Sequence, residues 1–84
     1  MKKKQIMDML QGIMKDRGVP KNIKTSIEES LGILNGNKPE GEKLSYIISV
    51  LDEASNDPNI SVHARTMVWS TISFLECMSS VTEE

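Results

Sequence analysis

Val19–Leu34, VPKNIKTSIEESLGIL, lies over Ile60–Leu75, ISVHARTMVWSTISFL, without a gap when the chain is shifted by 41 residues. Within the first stretch Ile23, Ile27, Leu31 and Leu34 follow one another at steps of four, four and three, which is one face of a helix. The overlay keeps Thr25/Thr66 and Leu34/Leu75 identical and pairs Val19 with Ile60, Lys24 with Arg65, Ile27 with Val68 and Leu31 with Ile72. Upstream the same shift makes Ile6/Ile47, Leu10/Leu51 and Asp16/Asp57 identical and pairs Met7 with Ile48 and Met9 with Val50. The apolar faces match better than the surfaces, so the chain reads as a duplicated helical hairpin.

Working outward, Ile6, Leu10, Ile13 and Met14 set a first helix over about 3–17. Gly18 is expected to close it in the left-handed conformation, and Pro20 to open the second helix, 20–34. Asn35-Gly36-Asn37-Lys38-Pro39 breaks the pattern. A third helix runs from Glu40 or Glu42 to Ser55 with Leu44, Ile47, Ile48, Leu51 and Ala54 inward. Its glutamates suit the positive end of the helix dipole. After the turn Asn56-Asp57-Pro58-Asn59, a fourth helix covers about 61–80 with Ala64, Met67, Val68, Thr71, Ile72, Phe74, Leu75 and Met78 inward. Fraying is expected at 81–84, where terminal glutamates oppose the dipole.

Each hairpin alone would expose an apolar face, and packing the two together closes it. The expected architecture is all-α, a four-helix antiparallel up-and-down bundle of two similar hairpins, 3–34 and 42–80, in a single domain over 1–84. The turn spacing also resembles that of HEAT-type repeats. A two-repeat solenoid is the lesser alternative, because about three repeats are needed for stability.

Composition narrows the function. Hydrophobic residues make up 38% and charged residues 26%, with a net charge of -2, so a strongly basic nucleic-acid binder is not the default. Cys77 is the sole cysteine and has no internal disulfide partner. No apolar run approaches the roughly 18 residues of a membrane span, and no signal peptide follows Lys2, Lys3 and Lys4. The expectation is a cytoplasmic protein with no membrane association.

Ser55-Asn56-Asp57-Pro58-Asn59, then His63-Ala64-Arg65-Thr66, then Trp69, resembles the C-terminal signature of a small archaeal family, uncharacterised protein family 0147. Val19-Pro20-Lys21-Asn22-Ile23-Lys24 and Leu51-Asp52-Glu53-Ala54-Ser55 are also similar to it, whereas Lys2 to Gln5 and the tail beyond Cys77 carry no part of the likeness. The resemblance implies an archaeal cytoplasmic source and an all-helical bundle. It brings no established activity or catalytic residue.

Catalytic chemistry is hard to assemble. Cys77 and His63 stand 14 residues apart on one helix, about 21 Å at 1.5 Å per residue. Neither Cys-x-x-Cys nor His-Glu-x-x-His occurs, Asp52, Glu53 and Asp57 lack the EF-hand pattern, and Gly32, Gly36 and Gly41 form no phosphate loop. No catalytic residue, metal or cofactor is expected, and the chain is read as not an enzyme. Asn56 to Asn59 read as turn and cap chemistry, His63 as a first-turn surface residue, and Met7, Met9 and Met14 as core filler.

One feature resists a purely structural reading. Trp69 and Val62 project away from the core stripe of the fourth helix with Arg65 and Glu76 beside them, and Tyr46 and Val50 sit opposite Ile48 on the third. The repeat equivalents of three of them are polar: Glu28 for Trp69, Lys21 for Val62 and Gln5 for Tyr46. The fold therefore does not require apolar residues there, and Trp, Tyr and Arg are the types enriched at interface hot spots. The expected function is a non-catalytic protein-interaction module using Trp69, Arg65, Val62, Tyr46 and Val50, its partner another protein or a second copy in a homo-oligomer such as a dimer. The competing structural role for Trp69 is packing over the bundle end or under the Asn35 to Gly41 loop, with its indole N–H on a backbone carbonyl. The alternative function is a small adaptor binding RNA or ribonucleoprotein through Lys15, Arg17, Lys21 and Lys24. Neighbouring acids, among them Glu28, Glu29, Asp52 and Glu53, weaken that field.

Overall fold

The computed structural model describes residues 2–83, with side chains as far as Met78. Among the described residues four helices follow the four apolar periods: α1 Lys3–Lys15, α2 Lys21–Leu34, α3 Glu40–Ser55 and α4 Val62–Glu83. α4 runs past the expected end at Ser80. Apolar spacing marks where a helix stops burying surface, which need not be where it ends. Glu84 and the side chains beyond Met78, where fraying was expected, lie outside those described.

Each helix packs against its neighbours in sequence and α4 closes onto α1. Among the described residues no Cα of α1 comes within 8 Å of one in α3, and none of α2 within 8 Å of one in α4. That ring is the up-and-down bundle. A stacked pair of HEAT-like repeats would instead place equivalent helices, α1 on α3 and α2 on α4, in contact. The molecule measures 36 × 21 × 19 Å, and its long dimension matches the 22-residue α4, about 33 Å at 1.5 Å per residue.

The core obeys the 41-residue shift more closely than the sequence identities do. Ile6/Ile47, Leu10/Leu51, Ile13/Ala54, Val19/Ile60, Ile23/Ala64, Ile27/Val68, Ser30/Thr71 and Leu34/Leu75 are buried on both sides. Among the described residues, only Leu44 and Ser55 are buried without a buried equivalent. Even the polar pair behaves alike. Ser30 Oγ donates to the Ser26 carbonyl at 3.1 Å and Thr71 Oγ1 to the equivalent Met67 carbonyl at 2.9 Å, so neither hydroxyl is buried without an acceptor.

The ends of the helices use different devices. Pro20 and Pro39 stand just outside α2 and α3 as N-caps, with extended ψ of 153° and 149°. Their carbonyls accept the first helical bonds from Lys24 and Lys43. Pro20 thus precedes the second helix instead of opening it. At the other ends Asn35 Nδ2 donates to Leu31 O, which the Asn35 N–H also reaches, and Asn56 Nδ2 donates to Asp52 O, which also accepts from Ser55 Oγ.

Gly18 departs from expectation. No described glycine has positive φ, so Gly18 does not close α1 in the left-handed conformation. Asp16 terminates α1 with an extended ψ of 132°. Gly18 is needed for close approach instead: a Cβ there would collide with Ser61 Oγ and Cβ.

Candidate interaction surface

The turns after α1 and α3 meet at one end of the bundle, and they are built alike. Asp16 Oδ1 accepts the Gly18 N–H at 2.7 Å, and Asp57 Oδ1 accepts the equivalent Asn59 N–H at 2.8 Å. An aspartate that folds back onto the backbone two residues on is a common way to fix such a turn. The second turn adds a cap. Ser61 Oγ accepts the Ala64 N–H at 3.0 Å, while the Ser61 N–H donates to the Gly18 carbonyl at 2.9 Å and ties the hairpins together. Pro20 occupies the equivalent place in the first hairpin and has no N–H to return this bond.

His63 and Asp16 complete the junction, with Nδ1 2.7 Å from Oδ2. His63 is 78% exposed while the Asp16 side chain is 16% exposed, so the surface placement expected for His63 holds and the sequence missed its partner. The Gly18 N–H, and after it the bond with His63, hold the Asp16 carboxyl below its ordinary value of 3.8. Arg65 also reaches this junction: Nη2 donates to the Asp57 carbonyl at 3.5 Å, and Nε is buried without a hydrogen-bond partner.

Two grooves flank the bundle, related by the same 41-residue shift. One, between α2 and α3, encloses about 420 Å³ and is lined by Asn22, Ser26, Glu29, Tyr46, Val50 and Glu53 among others. Its counterpart between α4 and α1 encloses about 320 Å³, with His63 in place of Asn22, Ser70 in place of Glu29, Met9 in place of Val50 and Gly12 in place of Glu53. Substitution has made the first groove acidic and left the second mainly apolar.

Tyr46 and Val50 therefore belong to the α2/α3 groove, which Trp69, Arg65 and Val62 do not line. The α1 flank of α4 is taken by His63, Thr66, Met67 and Ser70, and Ala64, Val68, Thr71 and Leu75 face the core. At 100° per residue the flank opposite α1 carries exposed Val62, Trp69 and Glu76, with half-buried Arg65 and Ile72 at its inner edge and Ile72 packed against the core. The five residues expected to form one surface divide between two faces. The α4 face is the more exposed, with Trp69 56% and Val62 79% accessible against 38% for Tyr46.

A model of an uncharacterised protein family, UPF0147, matches residues 1–78. The chain belongs to the UPF0147 family. UPF0147 proteins of archaea resemble it over most of its length. That of Methanothermobacter thermautotrophicus is 48% identical over 73 residues, covering 86% of this chain and 72% of the relative. That of Methanosarcina mazei is 39% identical over 74 residues, covering 87% and 80%. The crystal structure of a UPF0147 protein from Thermoplasma acidophilum superposes with a TM-score of 0.84 at 34% identity, covering 90% of this chain and 91% of that one. The UPF0147 match includes Lys2 to Gln5, which carry no part of the sequence signature.

Of the basic set, Lys15, Arg17 and Lys21 are exposed around the first turn and Lys24 is half-buried. Lys24 is near enough to Asp16 to help hold its carboxyl ionised. Among the described residues of this UPF0147 chain, no group of three or more His, Cys, Asp or Glu is placed to hold a metal ion, and no helix is long and apolar enough to cross a membrane.

Proposed function

We propose that this UPF0147 chain is a non-catalytic interaction module that presents the α4 face around Trp69 to a protein partner. The observation that carries the reading is Trp69 itself. A 56% exposed tryptophan, next to a 79% exposed valine, stands where the duplicated first hairpin carries Glu28 and Lys21. The bundle folds its first half with charge at those places, so stability does not explain the apolar residues. A tryptophan supplies large, rigid contact area, and such residues dominate interface energetics when a partner covers them.

A photo-cross-linking residue placed at 69, with the same residue at 28 as control, tests the proposal in native archaeal lysate. The expected result is a protein adduct from position 69 that survives nuclease and is absent from position 28. Equal adducts from both positions, or adducts with nucleic acid alone, would overturn it, and the latter would move the function to Lys15, Arg17, Lys21 and Lys24.

A further inference from the structure

Resting on that reading, we infer that the partner is a second copy of this chain, docked α4 against α4 in antiparallel fashion about a two-fold axis between Ser70 and Thr71. Val62, Arg65, Trp69, Ile72 and Glu76 succeed one another at steps of three, four, three and four. That is the seam spacing with which two helices interlock side chain into gap. The seam runs along the flank of α4 opposite the α1 groove, with Val62, Trp69 and Glu76 exposed and Arg65 and Ile72 half-buried at its inner edge.

The seam is complementary to itself in one orientation only. Reversed about the midpoint of Ser70 and Thr71, Trp69 of each copy meets Ile72 of the other, and Arg65 of each meets Glu76 of the other. Two apolar pairs then form the centre and two ion pairs the rim, the usual distribution in a specific interface. A parallel arrangement would instead set Arg65 against Arg65 and Glu76 against Glu76, and like charges facing each other across an interface are strongly disfavoured. The groups are suitably held. Glu76 is exposed, Ile72 is partly buried against the core, and the Arg65 guanidinium is tethered to the Asp57 carbonyl. The first hairpin cannot copy the arrangement, because Lys21, Lys24, Glu28, Leu31 and Asn35 stand at the equivalent places and supply neither the tryptophan nor the distal acid. The resulting contact is isologous, so it closes at the dimer.

Sedimentation of the full chain over a range of concentrations tests the register. Wild type should dimerise, and Arg65→Glu and Glu76→Arg should each weaken association about tenfold or more. Mixing the two variants, or combining both changes in one chain, should restore it, since both rim pairs then again join opposite charges. Should Arg65→Glu fail to fold, exposed Glu76→Arg suffices: its defect should exceed that of Glu76→Gln and diminish as salt screens the repulsion. A monomeric wild type, or single defects with no rescue and no salt dependence, would overturn the second-copy assignment. If wild type were monomeric while position 69 still captured a different protein, only this inference would fall. If position 69 captured no protein beyond the level of position 28, the functional proposal would fall with it.

Discussion

His63 Nδ1 lies 2.7 Å from Asp16 Oδ2, across 47 residues of chain, and so fastens the first turn of α4 to the turn that follows α1. Asp16 serves both hairpins at once, because its other oxygen accepts the Gly18 N–H. The folded state therefore favours the ionised carboxyl. A carboxyl held below its ordinary value of 3.8 contributes stability above that value and loses it as pH falls through the lower folded-state value. Asp16→Asn should be less stable than wild type near neutral pH, and the gap should narrow as the pH falls below 3.8. Denaturant unfolding of both proteins at about pH 7 and pH 3 checks this, and a gap independent of pH would refute it.

Gly18 and Gly32 should respond to alanine with opposite signs. At Gly18 a Cβ collides with Ser61, which is itself bonded through its N–H to the Gly18 carbonyl and cannot withdraw freely. Gly18→Ala should cost about 1–3 kcal/mol by overpacking. At Gly32, inside α2 with nothing within 4 Å of the added carbon, Gly32→Ala should stabilise by about 0.5–1 kcal/mol through helix propensity. Thermal unfolding of the two variants measures both. Adding Ser61→Gly to Gly18→Ala should cost less than the sum of the two single changes, because the collision is shared between them.

The repeat made most of the fold legible, because burial depends on helical period and every buried pair is a local property of two matched segments. The equivalent hydroxyls of Ser30 and Thr71 show how far this goes, since they are buried alike although the residues differ. What stayed hidden depends on the way the two hairpins meet. Asp16 and His63 have repeat equivalents Asp57 and Asn22, so no pattern marks the pair. Gly18 followed by Val19-Pro20 has the sequence of a helix terminator, whereas its contact with Ser61 exists only once the turns abut. Tyr46 and Trp69 look like one patch on helical wheels. They separate because Tyr46 lies on the α2 side of α3 while Trp69 lies on the flank of α4 away from α1, and wheels do not record which helix stands on which side.

Within the core, Leu10→Ala and Thr71→Val should differ sharply. Leu10 is fully buried, and removing its branched end leaves a cavity in a bundle with a thin core, at a cost of about 2–5 kcal/mol. Thr71 is as deeply buried, but its hydroxyl bonds a carbonyl one turn back on its own helix. Valine keeps the shape and deletes a bond of that kind, which supports helices weakly, so the change should stay within about 1 kcal/mol. Equilibrium denaturation of both variants against wild type ranks them, and equal costs would contradict the account of the core.

Trp69 offers the last check, because it is the sole tryptophan and its emission reports one face of α4. At 56% exposure the dilute protein should emit at the red wavelengths of a hydrated indole and be readily quenched by acrylamide. Raising concentration should shift emission to the blue and slow quenching if Trp69 is covered by Ile72 of a second copy, and Glu76→Arg should move that transition to higher concentration. Folding should be nearly indifferent to the side chain: Trp69→Ala is expected to change stability by no more than about 0.5 kcal/mol, the usual range for surface positions. An interface residue loses association and keeps stability, whereas a residue packed over the bundle end would lose stability first. Fluorescence titration and unfolding of the same variants separate the two.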